Sequence, residues 1–218
     1  MRALSSADFW LILGAVRWTV ALAVTAFAIG AVLGLAVAAA RTAQTSWLRE
    51  LARGYIAFVQ GVPLLGLLFL LYFGVPMLTG LQVDAFTAAA IAFSLSAAAF
   101  LGEIWRGSIE AVPRGQWEGA TCVGLRRLQV MRHVVWPQAA RIALPPTIGY
   151  LVQLIKNTSL AALVGLIELT RAGQIVSGST LAHLPVFCVV ALCYFAVCYP
   201  LARYALHLEG RLNVARGH

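Results

Sequence analysis

The chain has 218 residues, of which 61% are hydrophobic and only 11% are charged. A water-soluble domain carries about twice that share of charged residues, so this composition excludes a soluble protein and predicts a chain surrounded largely by lipid. The excess of 16 Lys and Arg over 8 Asp and Glu is explained better by the cytoplasmic loops of a membrane protein than by nucleic-acid binding.

Five apolar stretches follow one another along the chain, and each is long enough to cross a bilayer, which takes roughly 20 helical residues. They predict an all-α integral membrane protein that forms one transmembrane domain over residues 1–218. The first stretch is too long for a cleavable signal peptide, and no convincing cleavage site follows it. The predicted spans are 18–40, 63–81, 85–105, 142–167 and 183–206.

Arginine is distributed unevenly among the segments that join these spans. Most arginines lie in residues 41–53, in residues 106–141 and in the C-terminal tail. An odd number of spans places these three segments on one side, which the positive-inside rule assigns to the cytoplasm. The sequence therefore predicts an outer N-terminus and a cytoplasmic C-terminus.

The segment 113–137, between the third and fourth spans, is polar but strongly patterned. A short helix is predicted over 116–124, followed by a basic segment that Pro137 ends. Ala120 and Gly124 lie four residues apart and predict a helix face without bulky side chains, which another backbone could approach closely. An amphipathic helix on the membrane surface is the alternative. The small residues beside Glu118 favour docking into a groove of a partner.

The same segment carries a motif. Glu118-Gly119-Ala120, then Gly124, then Val134-x-Trp136-Pro137 resembles the EAA loop of type I ABC importer permeases, E-A-A-x3-G-x9-I-x-L-P. The spacing is kept, and the departures are Gly119, Val134 and Trp136. The resemblance implies a coupling helix that docks into a separate ATPase subunit. The residues it assigns to this contact are Gln116, Glu118, Gly119, Ala120, Gly124, Arg126 and Pro137.

Further motifs resemble the polar amino acid, or histidine and glutamine, class of these permeases. Residues 55–76 are similar to Y-x-E-x-x-R-G-T-P-L-L-x-x-L-F-x-x-Y-F-G-x-P, although Ala57 and Gln60 replace its charged residues. Residues 156–160 are similar to K-D-T-S-L, with Asn157 for Asp, and Gly149 stands where Asn is usual. The resemblance runs from about 42 to about 174. Other matching segments are 100–107, 112–116, 136–139 and 144–146.

The resemblance implies an importer permease with several partners in the cytoplasmic (inner) membrane. These are ABC ATPase subunits, a second permease that is identical or similar, an extracytoplasmic binding protein and an amino acid substrate. The chain has no P-loop, because its only lysine, Lys156, is not in a glycine-rich segment. It is therefore not expected to be an enzyme or to hold a cofactor, and ATP and magnesium would bind to the partner ATPase.

Polar residues interrupt the fourth span, and intramembrane polar groups usually face a cavity or the protein interior. Lys156 could meet a substrate carboxylate there; alternatively, it reaches the interface, and its neighbours bond to nearby helices. Glu103, in the third span, is a weaker candidate, because pairing with Arg106 is favoured. Glu168 faces the outer vestibule or is solvated. The substrate-path candidates are Gln153, Lys156, Asn157, Thr158, Ser159 and Glu103.

Three other classes of protein are disfavoured. A purely structural membrane scaffold would not explain the patterned segment around Glu118. A secondary transporter is disfavoured because no internal repeat is evident. A membrane enzyme is disfavoured because no H-E-x-x-H or G-x-S-x-G motif occurs. The departures at Ala57, Gln60, Gly149 and Asn157 leave an importer for an amino-acid derivative open.

No metal site is predicted, because the four cysteines, Cys122, Cys188, Cys193 and Cys198, have no metal-ligand spacing.

Overall fold

A computed structural model describes residues 4–216 of the chain, and of residues 213–216 only the backbone. Every regular element in this range is helical, which confirms the all-α prediction. Two π-helical turns, Leu70–Gly74 and Met131–Val135, and a 3₁₀ helix, Thr158–Val164, connect the α-helices. The α-helices are α1 Ser6–Thr42, α2 Ser46–Gly61, α3 Leu64–Phe69, α4 Val75–Thr79, α5 Ala85–Glu110, α6 Arg114–Cys122, α7 Arg127–Val130, α8 Trp136–Asn157, α9 Leu169–Thr180 and α10 His183–Arg216.

The helices provide up to five membrane crossings. Three of them, α1, α5 and α10, are long and apolar enough to cross a bilayer alone. Two more crossings are bent pairs: α2 meets the α3–α4 segment at 98°, and the segment ending at Val164 meets α9 at 50°. Counting each pair as one span gives the predicted five.

Local chemistry explains where the two pairs bend. Val62 is extended because it precedes Pro63, whose ring disfavours a helical residue before it. At the second bend Gly165 has a φ of 88°, a left-handed conformation that ends the 3₁₀ helix. The chain then re-enters helix at α9, where the Glu168 side chain caps the first amides.

Several predicted boundaries differ from the structure. Helix α1 begins at Ser6 rather than near Trp18, and α2 and α9 form in segments predicted to be connections. Pro137 does not end the basic segment, so that prediction is wrong. It lies in the first turn of α8, and the chain passes helically through the π turn into α8. Proline lacks the backbone N–H of a helical residue, and the π turn Met131–Val135 lies directly before α8 in the chain.

Helices α1 and α5 form the centre of the bundle. Trp18 contacts Phe86 edge to face at 6.1 Å, and the contacts of Gly30 and Gly34 are with Ser94 to Gly102, so the two helices run in the same direction. A Cβ on Gly30 would collide with the Ala97 side chain and lie 3.0 Å from the Ser94 carbonyl oxygen. Small residues therefore allow these two backbones to approach closely.

Helix α8 runs in the opposite direction beside α5. Trp105 donates a 3.0 Å hydrogen bond from Nε1 to the Thr147 hydroxyl, and Phe100 stacks on Tyr150 at 5.3 Å. Helix α8 is therefore antiparallel to α5, whereas α1 is parallel to α5. These are the directions that the first, third and fourth spans of a five-span protein must have.

Asp84 fixes the start of α5. Its Oδ1 accepts hydrogen bonds of 3.0 Å from the amides of Phe86 and Thr87, the arrangement of an N-cap. The hydrogen bonds from the Thr87 hydroxyl and amide, with that from Phe86, hold the pKa of Asp84 below its usual value. The carboxylate is therefore ionised and stabilises the helix N-terminus.

Candidate functional site

The segment 113–137 is folded onto the ends of α5 and α8. Its buried side chains form one cluster with theirs, called here the loop core, which consists of Ile109, Val112, Ala120, Val130, Val135 and Ala139. Trp117, Leu125, Met131, Val134 and Ile142 pack around this core. Most apolar side chains of the segment thus pack against α5 and α8. This packing disfavours the alternative of an amphipathic helix that buries its apolar face in lipid.

Ala120 has a different orientation from the predicted one. It is buried in the loop core, so the prediction that it faces a partner is wrong for this residue. The reason is that α6 ends at Cys122, so Ala120 and Gly124 do not lie on one helix face. The small side chain of Ala120 instead lets α6 pack closely on the end of α5.

The other predicted coupling residues are at the surface. Gln116, Glu118 and Gly119 are exposed along α6, and Glu118 forms no ion pair with any residue that the structure describes. The Gln138 side chain donates a 3.2 Å hydrogen bond from Nε2 to Oε1 of Gln116, which ties α6 to α8. Glu118 is therefore presented to the solvent on a helix that is fixed at its base.

Gly124 makes the turn between α6 and α7. Its φ of 82° is left-handed, and no heavy atom lies within 4 Å of a Cβ built on it. The Leu125 amide donates a 3.2 Å hydrogen bond to the Ala120 carbonyl across this turn. Arg126 follows at the N-cap of α7, where its amide donates to Oε1 of Gln129 at 2.8 Å.

Sequence reasoning missed two apolar side chains at the tip of this segment. Val123 is 76% exposed and Leu128 is 79% exposed, and they flank the turn at Gly124. Exposed apolar residues beside an unpaired carboxylate are typical of a surface that contacts another protein. The available signal was two aliphatic residues near the glycine of a polar loop, with Val123 directly before Gly124 and Leu128 four residues after it.

The polar interruption of the fourth span lies at the junction of α8 and the 3₁₀ helix. Gln153 and Lys156 are exposed on one face of α8, and Gln153 donates a 3.0 Å hydrogen bond from Nε2 to Oδ1 of Asn157. The Ser159 hydroxyl donates to the Lys156 carbonyl at 2.8 Å. The buried Thr158 hydroxyl donates to the Ile155 carbonyl at 2.7 Å. The Ser159 and Thr158 hydroxyls thus satisfy backbone carbonyl groups where the α-helix tightens into the 3₁₀ helix. This arrangement agrees with the alternative in which the polar residues bond to nearby helix groups rather than to a substrate.

Lys156 lies level with the middle of two spans. The preceding residue, Ile155, packs in one cluster with Ala23 and Cys198, which are near the midpoints of α1 and α10. Lys156 is nevertheless exposed and forms no ion pair among the described residues. A lysine that faced hydrocarbon would be costly, so its ammonium group either faces water or another chain, or reaches the membrane interface, which are the two predicted alternatives.

Glu103 is separated from this group. Its Oε1 accepts a 2.9 Å hydrogen bond from Nε of Arg106, and its Oε2 lies 3.8 Å from Nε of Arg41. Arg106 also pairs with Glu110. The structure thus places Glu103 in an ion-pair network between α1 and α5 at their arginine-rich ends, as the favoured sequence interpretation expected.

Glu168 lies in neither of the places predicted for it. It is fully buried, and its carboxylate accepts hydrogen bonds from the Tyr194 hydroxyl at 2.9 Å and the Thr19 hydroxyl at 3.4 Å. The amides of Thr170 and Arg171 also donate to it, at 3.0 and 2.8 Å. Four donors from three helices satisfy this carboxylate, which is the condition for burying one.

Comparison with known proteins places this geometry among transport proteins. Residues 30–214 match the family described as "Binding-protein-dependent transport system inner membrane component". The chain is 40% identical to the probable amino-acid ABC transporter permease protein YckA of Bacillus subtilis (strain 168), over 93% of this chain and 89% of YckA. It is 35% identical to the L-cystine transport system permease protein TcyB of the same organism, over 94% of this chain and 88% of TcyB.

A solved structure has the same fold. The structure described as "Crystal structure of an amino acid ABC transporter with histidines" aligns with a TM-score of 0.88 and 28% sequence identity. The alignment covers 96% of this chain and 100% of the other. The similarity therefore extends over almost the whole chain.

Proposed function

Because this chain belongs to the family of binding-protein-dependent transport system inner membrane components, as a permease subunit of an amino-acid ABC importer, we propose that it moves a polar amino acid inward by ATP-driven alternating access. Its helices and family make it a multi-pass protein of the inner membrane. The permease is not itself catalytic. The energy comes from separate ATPase subunits that bind ATP and magnesium.

The contact with the ATPase is formed by the tip of segment 113–137. Glu118 and Gly119 on α6, and Val123 and Leu128 at the turn, form the surface that enters a groove of the ATPase. Gln116, Gly124 and Arg126 shape this surface. Ala120 and Pro137 support this surface without contacting the ATPase. Ala120 packs in the loop core, and Pro137 lies in the first turn of α8. A displacement of the tip is therefore passed to α5 and α8 through packed side chains.

The substrate passes along the exposed polar face of α8. Lys156 supports this role most directly, because it is a cation level with the centre of the bundle and has no partner among the described residues. An amino acid supplies the carboxylate that such a cation needs. Gln153 and Asn157 lie beside it, and Thr158 and Ser159 hold the backbone of the break. Glu103 is left out of this path, since two arginines engage it.

A second permease, identical or similar, completes the pathway. Gln153 and Lys156 are exposed near the end of α8 in the single chain, so this part of the helix needs another protein surface and water rather than lipid opposite it. An extracytoplasmic binding protein delivers the substrate to the outer side. The two bent pairs, at 98° and 50°, allow the segments around the path to change their inclination.

The observation that carries this proposal is Glu118 standing exposed on a helix whose base is packed against the bundle. The test is to co-express the chain with its ATPase and reconstitute the purified complex with the binding protein in proteoliposomes. We expect co-purification and uptake of a labelled polar amino acid that requires ATP inside the vesicles. Uptake driven by an ion gradient without ATPase would overturn the proposal, and uptake of only a modified amino acid would favour the alternative of a derivative.

A further inference from the structure

A positively charged cleft lies between the arginine-rich end of the bundle and segment 113–137. Its volume is about 480 Å³, and it is lined by the end of α1, the α1–α2 connection, the end of α5 and parts of α6 and α7. The charged side chains in its wall are Arg41, Arg49, Arg127 and Glu110, and Trp117 forms part of its apolar surface. Neither the coupling contact nor the substrate path uses this cleft.

The charges in the wall do not cancel. Glu110 is engaged by Arg106, which lies outside the cleft wall. Arg127 is exposed and forms no ion pair with the part of the chain that the structure describes. Since Arg41 lies 3.8 Å from Glu103, the unbalanced positive charge of the cleft comes from Arg49 on α2 and Arg127 on α7.

The arginines are held in place before any ligand binds. Arg49 donates from Nη1 to the carbonyl oxygens of Ala43 and Gln44, both at 3.0 Å, and so fixes its guanidinium group at the α1–α2 connection. Nε of Arg41 is buried and has no hydrogen bond, with Oε2 of Glu103 3.8 Å away. Guanidinium groups positioned in this way bind phosphate oxygens well, because their planar N–H groups match them.

The position of the cleft favours the phosphate group of a lipid over that of a soluble molecule. On the outward side of α2, Trp47, Leu51 and Phe58 are 64%, 65% and 62% exposed, at a spacing that forms one helical stripe. A tryptophan at the end of such an apolar stripe marks the boundary between hydrocarbon and headgroups. Arg49 is two residues from Trp47, so the cleft opens at the level where lipid phosphates lie.

We propose that this cleft binds the phosphate of an anionic phospholipid in the leaflet that faces the cytoplasm. The bound headgroup bridges Arg49 in the first turn of α2 and Arg127 of the segment 113–137. Basic pockets at cytoplasmic helix ends have this property in general. The lipid then stabilises the position of the coupling segment relative to the bundle, so the complex depends on anionic lipid for stability.

The test compares wild type with an Arg49→Gln/Arg127→Gln double variant of the full chain, purified in its complex. An Arg211→Gln variant is the matched control, because Arg211 is exposed on α10 and removes one charge outside the cleft. The measurements are retention of phosphatidylglycerol against phosphatidylcholine by native mass spectrometry, and thermal stability in nanodiscs with and without phosphatidylglycerol. Arg127→Gln alone is included because it breaks no contact that the structure describes.

We expect the double variant to bind phosphatidylglycerol roughly tenfold or more weakly and to lose its stabilisation, while the control stays close to wild type. Equal losses in variant and control would indicate general attraction to a charged surface and overturn the proposal. Equal protection by inorganic phosphate would identify a site for a soluble anion and overturn the lipid assignment. Unchanged lipid binding with weaker ATPase association would assign the cleft to the ATPase instead.

Discussion

The Tyr194 hydroxyl donates a 2.9 Å hydrogen bond to Oε2 of Glu168, a carboxylate with no solvent exposure. This bond joins α10 to the N-terminus of α9, and the Thr19 hydroxyl joins α1 to the same oxygen. The Thr170 hydroxyl also lies 3.0 Å from the Tyr194 hydroxyl. The network thus joins α1, α9 and α10 at the second bend.

Replacing Glu168 with Ala should destabilise the protein strongly. The change removes the N-cap of α9 and leaves the buried hydroxyls of Tyr194 and Thr19 with one acceptor fewer, a cost of about 2–4 kcal/mol. We expect a melting temperature in detergent lower by about 5–15 °C. Glu168→Gln keeps an acceptor oxygen and should lose less, and Glu209→Ala, at an exposed position on α10, should lose almost nothing. A Glu168→Ala protein as stable as wild type would show that the network is not structural.

The α1–α5 contact should not tolerate a methyl group at Gly30. The added Cβ of Gly30→Ala would collide with Ala97, and overpacking of this kind costs about 1–3 kcal/mol. The matched control is Gly14→Ala on the same helix, where no atom lies within 4 Å of the new Cβ. Fluorescence size-exclusion profiles and thermal stability should separate the two variants. Similar stability for both would contradict the close packing of α1 on α5.

Changes at the tip of segment 113–137 should stop transport without preventing insertion. Glu118→Lys reverses an exposed charge on the proposed docking surface, and Gly124→Leu adds bulk at a left-handed turn whose strain alone costs about 1–2 kcal/mol. We expect roughly tenfold less uptake or lower, and weaker co-purification of the ATPase.

Two controls accompany these variants. Glu209→Lys makes the same charge reversal on α10, and Gly54→Ala adds a methyl group on α2 where no atom lies within 4 Å. Both should transport normally. Wild-type uptake by Glu118→Lys and Gly124→Leu together would remove the docking role from this surface.

Lys156→Met should impair uptake while preserving ATP hydrolysis by the assembled complex. The variant removes the cation that we propose meets the substrate carboxylate, a charged hydrogen bond whose loss corresponds to roughly 10–100-fold in rate. Lys156→Arg keeps the charge and should retain part of the uptake. Normal transport by Lys156→Met would mean that the lysine reaches the interface and that other groups hold the ligand.

The orientation of the spans can be checked with an impermeant thiol reagent on intact cells. In a variant without the four natural cysteines, single cysteines at Gln44 and Gly115 should remain unlabelled, because both lie in arginine-rich cytoplasmic segments. A cysteine at Gln82, between α4 and α5, should be labelled from outside. The reverse pattern would require the opposite orientation.

Composition and periodicity were sufficient to predict the helical class and the number of crossings, because lipid imposes both. The motif around Glu118 identified the folded loop, since its spacing reflects a local turn. Helix α2 was missed because its charged residues, such as the exposed Glu50–Arg53 pair, resemble those of a loop.

Contacts between distant residues were not predictable. The sequence does not show that Glu168 is buried, because its partners Thr19 and Tyr194 lie 149 and 26 residues away along the chain. The inward orientation of Ala120 depends on where α6 ends, and that boundary follows from the left-handed turn at Gly124. In both cases tertiary packing decides what a local pattern leaves open.

The close fit of Gly30 against Ala97 also limits how the protein can move. Two helices whose backbones are nearly in contact cannot slide past each other or separate without losing that fit, so α1 and α5 form one rigid body. In the proposed alternating access, motion within this chain would then be concentrated at the two bends, near Val62 and Gly165. Spin labels on α1 and α5 would keep a constant separation through the ATP cycle, whereas labels on α3 and α9 would report the change.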